Sequence, residues 1–338
     1  MIEYPDRLAL AQRPTPLQPL RRLQQVQGGP LIWLKRDDLT GAELSGNKVR
    51  KLEFLLAEAQ SQGCTALITC GGIQSNHCRA TALAAARLGL HCHLILRGLP
   101  EASSDGNQLL DELCGASCEY HRPAQYFNHL DEYFTAATQR LAADGHRAFS
   151  IPTGGSNGIG VWGYVDACRE LAADFEAQAI NPSAIFSATG SGGTQAGLVA
   201  GQRAYQLDAT VFGINVCDDE AYFKRKVSDD LAEWQQRYPQ AQSLGAFGPD
   251  DVNVIDGYVG AGYARADDAL LQSIARLAQL EGVVLDPVYS GKAFHGLLQE
   301  LEKGLFHDAT DLVFIHTGGI FGLFPYREQL ANLEKVTL

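Results

Sequence analysis

The stretch GNKVRKLEF, residues 46–54, places three cations at the start of a segment with helical periodicity. Asn47 is a suitable N-cap for this helix and Gly63 a suitable end, because these residue types favour helix termini. Apolar side chains then recur at the spacing of one helix face. They are Val49, Leu52, Leu55, Leu56 and Ala59. The stretch therefore predicts an amphipathic helix with a cationic first turn.

The position of these cations needs an explanation, because a helix N-terminus carries partial positive charge and unsatisfied N–H groups. Lys48 and Lys51 are three residues apart and share one helix face, so they indicate an anion close to this end of the helix. Arg50 points elsewhere, and we expect it to be solvated. The alternative is that all three are ordinary surface cations.

Composition limits the classes of partner. The chain has 338 residues, with 39 Asp plus Glu against 27 Lys plus Arg and a net charge of −12. We therefore expect a small-molecule ligand, and neither nucleic acid nor a membrane surface as partner. The N-terminus lacks the pattern of a signal peptide, so we expect a cytoplasmic location. Eight cysteines without a C-x-x-C pair predict reduced thiols and no metal site.

Short apolar or β-branched runs alternate along the chain with segments of helical length. They are IWLKRD, TALITC, HCHLIL, AFSIP, AIFSAT, TVFGINV, VNVIDGYV and DLVFIHT. The alternation predicts an α/β fold with largely parallel, twisted sheets flanked by helices. No Pro-rich linker divides the chain, so a second lobe would be an insertion. Ligands of such sheets bind at the carboxyl ends of the strands.

Four of the predicted strands run into glycine-rich loops that precede helices, which frees backbone N–H groups for an anion. The loops are GGIQSNHC, TGGSNGIGVWGY, GSGGTQAGL and GGIFGLF. Gly158, Gly160 and Gly163 formally match the dinucleotide fingerprint, but the acidic residue expected about 20 residues later falls within a helix. An NAD-dependent oxidoreductase is therefore kept only as an alternative of another class.

The loop after AIFSAT is the best candidate for an anion site, because its glycines allow close backbone approach and its hydroxyls add donors. Its members are Gly190, Ser191, Gly192, Gly193 and Thr194. A tight turn without a ligand is the alternative. A lysine on one loop, this loop on another, and no metal or nucleotide motif together indicate pyridoxal 5′-phosphate, a phosphate-bearing cofactor that reacts with an amine.

Five motifs carry a resemblance that extends over nearly the whole chain. They are GNKVRKLEF, GGIQSNHCRATA, ATGSGGTQAG, LDPVYSGKAFHGL and FIHTGGIFGLF. In this order they resemble the family that contains 1-aminocyclopropane-1-carboxylate deaminase and D-cysteine desulfhydrase. The resemblance implies the two-lobed, tryptophan synthase β-like type II fold of pyridoxal phosphate enzymes. We expect a large cofactor-binding domain of residues 1–57 and 156–338, a smaller inserted domain of residues 58–155, an active site in the cleft between them, and a homodimer as the common default.

The resemblance also implies roles for single residues. Lys48 falls on the lysine that forms the Schiff base with the cofactor, and Lys51 falls where the family places a cation near the phosphate. Asn76 matches the residue beside the ring hydroxyl of the cofactor. Ser75 and His77 match positions around the substrate carboxylate, with Ser75 also in the catalytic set and Asn76 also in contact with substrate.

Tyr263 and Tyr289 match a pair of tyrosines that face the substrate, although a loop tyrosine is otherwise more often a packing residue. Thr317 would border the pyridine ring. Ser290 stands where the deaminase branch carries a glutamate close to the pyridine nitrogen, and a hydroxyl cannot hold that nitrogen protonated as a carboxylate does. His77 stands where the deaminases carry glutamine, so it is a second difference from the deaminase branch.

These two substitutions favour α,β-elimination from a small amino acid with a β-sulfur leaving group. D-Cysteine is the best single prediction, with pyruvate, ammonia and sulfide as products. In this scheme Lys48 is the first candidate base, and Tyr289 protonates or positions the leaving group. An L-cysteate or D-serine-type lyase and an aminocyclopropane carboxylate deaminase remain as alternatives within the family.

Overall fold

Two β-sheets organise the protein in the computed structural model, which describes residues 2–100 and 103–333. The strands, numbered along the chain, are β1 (Leu17–Pro19), β2 (Leu31–Lys35), β3 (Ala66–Gly72), β4 (His91–Arg97), β5 (Ser117–His121), β6 (Ala148–Ser150), β7 (Ala184–Thr189), β8 (Thr210–Asn215), β9 (Asn253–Ile255) and β10 (Asp311–Ile315). The larger sheet has the order β1-β2-β10-β7-β8-β9. All its neighbouring strands are parallel except β1 and β2.

Helices follow most strands, as the alternation in the sequence predicts. They are α1 (Arg21–Gln27), α2 (Asn47–Ser61), α3 (Asn76–Leu88), α4 (Gly106–Leu113), α5 (Pro123–Ala143), α6 (Trp162–Gln178), α7 (Gly193–Ala204), α8 (Glu220–Arg237), α9 (Asp268–Glu281), α10 (Ser290–Glu302) and α11 (Arg327–Ala331). Within residues 2–100 and 103–333, none of them combines the length and the apolar composition that crossing a membrane requires. The predicted α/β class with mostly parallel sheets is confirmed.

The smaller sheet is built from one continuous part of the chain. Its strands have the order β5-β4-β3-β6 and are parallel throughout. They lie between Ala66 and Ser150, inside the segment 58–155 that the sequence predicts as an inserted domain. The domain limits themselves stay a prediction.

The apolar face of α2 belongs to a core that also contains residues of both sheets. Leu52 and Leu55 are fully buried in a cluster that also contains Leu67 of the smaller sheet and Val313 of the larger one. Because one helix face contributes to a core shared by the two sheets, the start of α2 is held next to both of them. This arrangement places Lys48 at the junction of the sheets.

The first residue of α2 differs from the prediction. Asn47 is already helical, and Gly46, with φ +94°, takes the position before it. The Asn47 amide donates a hydrogen bond to Thr194 Oγ1 at 2.9 Å instead of capping its own helix. A Cβ at Gly46 would lie 2.8 Å from the carbonyl oxygen of Thr317, so only glycine allows this close approach. The helix is thereby tied to two of the glycine-rich loops.

Arg50 is not solvated, and that expectation is wrong. Its side chain is 1% exposed and donates hydrogen bonds to Asp37, Glu170 and Thr15 at 2.8 to 2.9 Å. Burial opposes ionisation of Asp37, yet the Arg50 guanidinium beside it holds the pKa of this carboxyl below its usual value. Arg50 therefore joins α2 to α6 and to the segment after β2.

We expect Arg50→Met to lower the free energy of unfolding by about 3–5 kcal/mol, because it leaves two carboxylates buried without the guanidinium they share. Urea unfolding followed by circular dichroism measures this loss. Lys224→Met, which removes an exposed ion pair with Glu220 on α8, is the matched control, with an expected change within about 0.5 kcal/mol. Equal effects of the two variants would contradict this account of Arg50.

Candidate active site

A cavity of about 390 Å³ opens at the carboxyl ends of strands from both sheets. Its wall includes Gly72 and Arg97 at the ends of β3 and β4, and Gly190 and Thr317 in the loops after β7 and β10. Most of the residues predicted from the sequence meet there. They are Lys48, Ser75, Asn76, His77, Gly190, Ser191, Gly192, Thr194, Tyr263, Tyr289 and Thr317.

Three predicted residues lie behind the wall. Lys51 Nζ and the Gly193 amide donate to Ser156 Oγ at 3.3 and 3.1 Å, and Ser156 itself lines the cavity. Ser290 is fully buried, and its hydroxyl donates to Asp286 Oδ1 at 2.6 Å. Lys51 and Gly193 thus reach the cavity through one hydroxyl, whereas Ser290 faces a buried carboxylate.

The loop between β7 and α7 forms a cup with no side chain inside it. Gly192 has φ +87°, and a Cβ at Gly190 or Gly193 would lie 2.9 Å from the Tyr289 ring or 2.6 Å from Ser156 Oγ. Gly192, the residue before α7, has no side chain to cap the helix, and the first turn of α7 carries no acidic residue. Ser156 Oγ accepts from the Gly193 N–H, and the other N–H groups of the first turn and the helix dipole favour an anion in the cup.

Lys51 supplies the clearest sign that an anion belongs here. Its side chain is fully buried, and among the described residues its ammonium has a hydroxyl but no carboxylate within ion-pair distance. The nearby Asp230 is paired with Lys226. Burial, together with the charges of Lys48 and Lys226, lowers the pKa of Lys51 well below its usual value. A phosphate dianion in the cup would reverse this penalty, so the residues fit a phosphate-bearing cofactor.

Lys48 reaches into the cavity from the first turn of α2. Its Nζ donates to Asn47 Oδ1 at 3.1 Å and lies 5.9 Å from the centre of the Tyr289 ring. Burial lowers the pKa of Lys48 to about 8, with the charge of Asp286 raising it and that of Arg79 lowering it. A useful fraction of this amine is therefore neutral near neutral pH and able to act as nucleophile or base.

The N-terminus of α3 forms the opposite wall. Ser75 is its N-cap and accepts a hydrogen bond from the Cys78 amide at 3.2 Å, and Asn76 and His77 begin the helix. His77 Nε2 lies 2.8 Å from Thr69 Oγ1. Burial and the charges of Lys48 and Lys51 hold the pKa of His77 well below its usual value, so this ring is neutral. The helix start can accept a carboxylate.

Tyr263 and Tyr289 form a hydrogen-bonded pair. Their hydroxyl oxygens lie 2.6 Å apart and their ring centres 5.8 Å apart. Burial, followed by the Tyr263 hydroxyl, raises the pKa of Tyr289 well above its usual value, so its phenol stays protonated. A Cβ at Gly72 would lie 3.2 Å from the Tyr263 ring. The pair therefore offers a proton at the cavity wall.

Sequence reasoning did not assign three residues of this region. Ser156 connects Lys51, Gly193 and Ser191 through its hydroxyl. Asp286 accepts hydrogen bonds from Ser290 and from backbone N–H groups at the start of α10. Arg97 ends β4 and faces the cavity. Ser156 lies within the glycine-rich loop TGGSNGIGVWGY and Asp286 within the motif LDPVYSGKAFHGL, so their positions in the sequence indicated that they are near the site. Arg97 lies at the end of an apolar run, which gave no such indication.

We expect Lys48 to react with a neutral aldehyde at lower pH than other lysines. Burial lowers the pKa of Lys48 to about 8, so reductive methylation of Lys48 in the apoenzyme should be half-maximal near that pH, and the neutral amine should predominate above it. Mass spectrometry of peptides measures the pH profile. The partly exposed Lys224 is the internal reference, and a Lys48 profile that rises in parallel with that of Lys224 would contradict the assignment.

Comparison with known proteins identifies the family to which this chain belongs. Residues 8–318 match the family described as pyridoxal-phosphate dependent enzyme. A bifunctional D-cysteine desulfhydrase/1-aminocyclopropane-1-carboxylate deaminase of Arabidopsis thaliana is 40% identical, covering 96% of this chain and 81% of its own length. A D-cysteine desulfhydrase of Klebsiella pneumoniae is also 40% identical, covering 96% and 97%. A solved structure of an ACC deaminase homologue has a TM-score of 0.87 and 36% identity, covering 97% and 96%. The chain therefore belongs to the pyridoxal-phosphate dependent enzymes, and its cofactor is pyridoxal 5′-phosphate.

Proposed function

We propose that this enzyme catalyses α,β-elimination from a small amino acid with a β-sulfur leaving group, with D-cysteine as the best single substrate. The observation that carries the proposal is the presence in one cavity of a low-pKa lysine, Lys48, and a protonated hydroxyl pair, Tyr263 and Tyr289. A base and an acid at one site are what removal of an α-proton and departure of a β-substituent require. The name of the relative from Klebsiella pneumoniae supports the same reaction.

The cofactor, when bound, withdraws electrons from the α-carbon of the substrate. In our proposal Lys48 attaches it, and Lys51 holds its phosphate together with the loop of residues 190–194. Asn76 and Thr317, both on the cavity wall, contact its ring.

Ser290 is the residue proposed beside the ring nitrogen. The hydroxyl proton of Ser290 is directed at Asp286 Oδ1 and its oxygen accepts from the Asp286 N–H, so one lone pair remains for another partner. A serine in this position therefore supplies no negative charge, unlike the glutamate expected in a deaminase.

The substrate carboxylate is proposed to bind at the start of α3, where Ser75, Asn76 and His77 lie. The Lys48 amine, once the substrate amine has displaced it, takes the α-proton, and the β-carbon–sulfur bond breaks with its electron pair leaving on sulfur. Tyr289 gives or directs a proton to this sulfur, while the hydrogen bond from Tyr263 fixes the orientation of the phenol. Hydrolysis of the released enamine then gives pyruvate and ammonia.

A second activity has support from one relative. The Arabidopsis thaliana protein is named as both a desulfhydrase and a deaminase, so ring opening of 1-aminocyclopropane-1-carboxylate is the second candidate for this chain. An L-cysteate or D-serine-type lyase would use the same residues. Homodimer formation and a cytoplasmic location stay predictions from the sequence.

We expect the purified holoenzyme to release pyruvate and sulfide from D-cysteine faster than it releases 2-oxobutyrate from 1-aminocyclopropane-1-carboxylate. The screen also includes L-cysteine, L-cysteate and D-serine, with oxo acid, sulfide and sulfite each measured. Lys48→Ala should keep its circular dichroism spectrum and lose turnover with every substrate. Oxo-acid release dominated by 2-oxobutyrate, or a fully active Lys48→Ala, would contradict the proposal.

A further inference from the structure

Arg97 occupies a part of the cavity that the proposed reaction leaves without a role. It is the last residue of β4 and pairs in register with Gly72 of β3, where a Cβ would lie 3.2 Å from the Tyr263 ring. Its guanidinium carbon lies 4.4 Å from the centre of the Tyr263 ring and 5.0 Å from that of Phe127. The guanidinium is therefore placed next to a residue of the proposed active site.

The guanidinium of Arg97 is a cation without a polar partner in the described part of the chain. The structure gives it no hydrogen bond from its side chain and no carboxylate within 4 Å, although it is half-buried and lines the cavity. Lys226, another cation on the wall, is paired with Asp230. Contacts with aromatic faces fix the plane of the guanidinium but use none of its five N–H donors.

We propose that Arg97 binds a second anionic group, carried by the side chain of the substrate, so that amino acids with an acidic β-substituent such as a sulfonate are accepted as substrates beside D-cysteine. The α-carboxylate already has a separate position at the start of α3, which leaves Arg97 for another anion. A guanidinium presents paired donors that match two oxygens of a sulfonate or carboxylate. This inference rests on the proposed function, because the charged group would be the one that leaves.

The neighbouring tyrosine explains how such selection would act. Tyr263 contacts Arg97 through its ring and Tyr289 through its hydroxyl, so the cation, the tyrosine pair and Lys48 follow one another along the wall. A substrate bound at Arg97 through its side chain would therefore direct its β-substituent towards the proposed proton donor. Arg97 is thus a specificity residue that contacts the leaving group and leaves the α-carbon to Lys48.

The test compares one anionic and one neutral leaving group in the parent enzyme and in Arg97→Gln. The probes are cysteate and β-chloroalanine, each as both enantiomers, with pyruvate as the measured product. We expect the ratio of kcat/KM for cysteate to that for β-chloroalanine to fall about 10- to 100-fold in Arg97→Gln, and Arg97→Lys to restore part of it. Arg140→Gln, which removes an exposed arginine paired with Glu119 outside the cavity, is the control and should keep the parental ratio.

A binding measurement makes the test independent of turnover. Calorimetry of the holoenzyme with 3-sulfopropanoate and with butanoate, which lack the reacting amine, should show tighter binding of the sulfonate in the parent and no such preference in Arg97→Gln. An unchanged ratio and an unchanged preference in Arg97→Gln, or an equal loss for both classes of ligand, would overturn the inference. If the parent enzyme releases pyruvate from none of the tested substrates, the proposed function is rejected. The calorimetric comparison would still decide the role of Arg97.

Discussion

The burial of the Lys51 ammonium without a carboxylate partner in the described structure is the constraint on which the site depends. A buried charged group is tolerated only when it is paired or when its pKa shifts towards the neutral form. Here the pKa of Lys51 is lowered, and the glycine loop of residues 190–194 lies near it. In our proposal the phosphate of the cofactor supplies the missing charge. Lys48, one helical turn earlier, then shares a cavity with an anion that the same helix helps to hold.

The fold keeps this unfavourable arrangement in place. Arg50, on another side of α2, is locked by Asp37 and Glu170, and Gly46 brings the start of the helix against the loop after β10. Lys48 and Lys51, on either side of Arg50 in α2, are thus held in position by contacts that do not involve the cofactor.

Much of this organisation was predictable from the sequence, and the exceptions have physical reasons. The eight predicted apolar runs form β2, β3, β4, β6, β7, β8, β9 and β10. β1 is only three residues long, and β5, at a sheet edge, is half-buried and reads SCEYH, so neither has a strong apolar signal. Helical spacing separates Arg50 from Lys48 and Lys51, but it does not reveal a buried carboxylate 120 residues away in sequence. Arg97 gave no signal because one arginine at the end of an apolar strand is common.

The phosphorus NMR signal of the bound cofactor shows whether the Lys51 ammonium is paired with the phosphate. A free phosphate monoester takes up a proton near pH 6, whereas a phosphate paired with the buried Lys51 ammonium should remain a dianion well below that value. We expect a signal that stays at the dianion position from about pH 8 to about pH 5.5 in the parent enzyme and titrates in Lys51→Met. A parental signal that titrates like the free cofactor would contradict it.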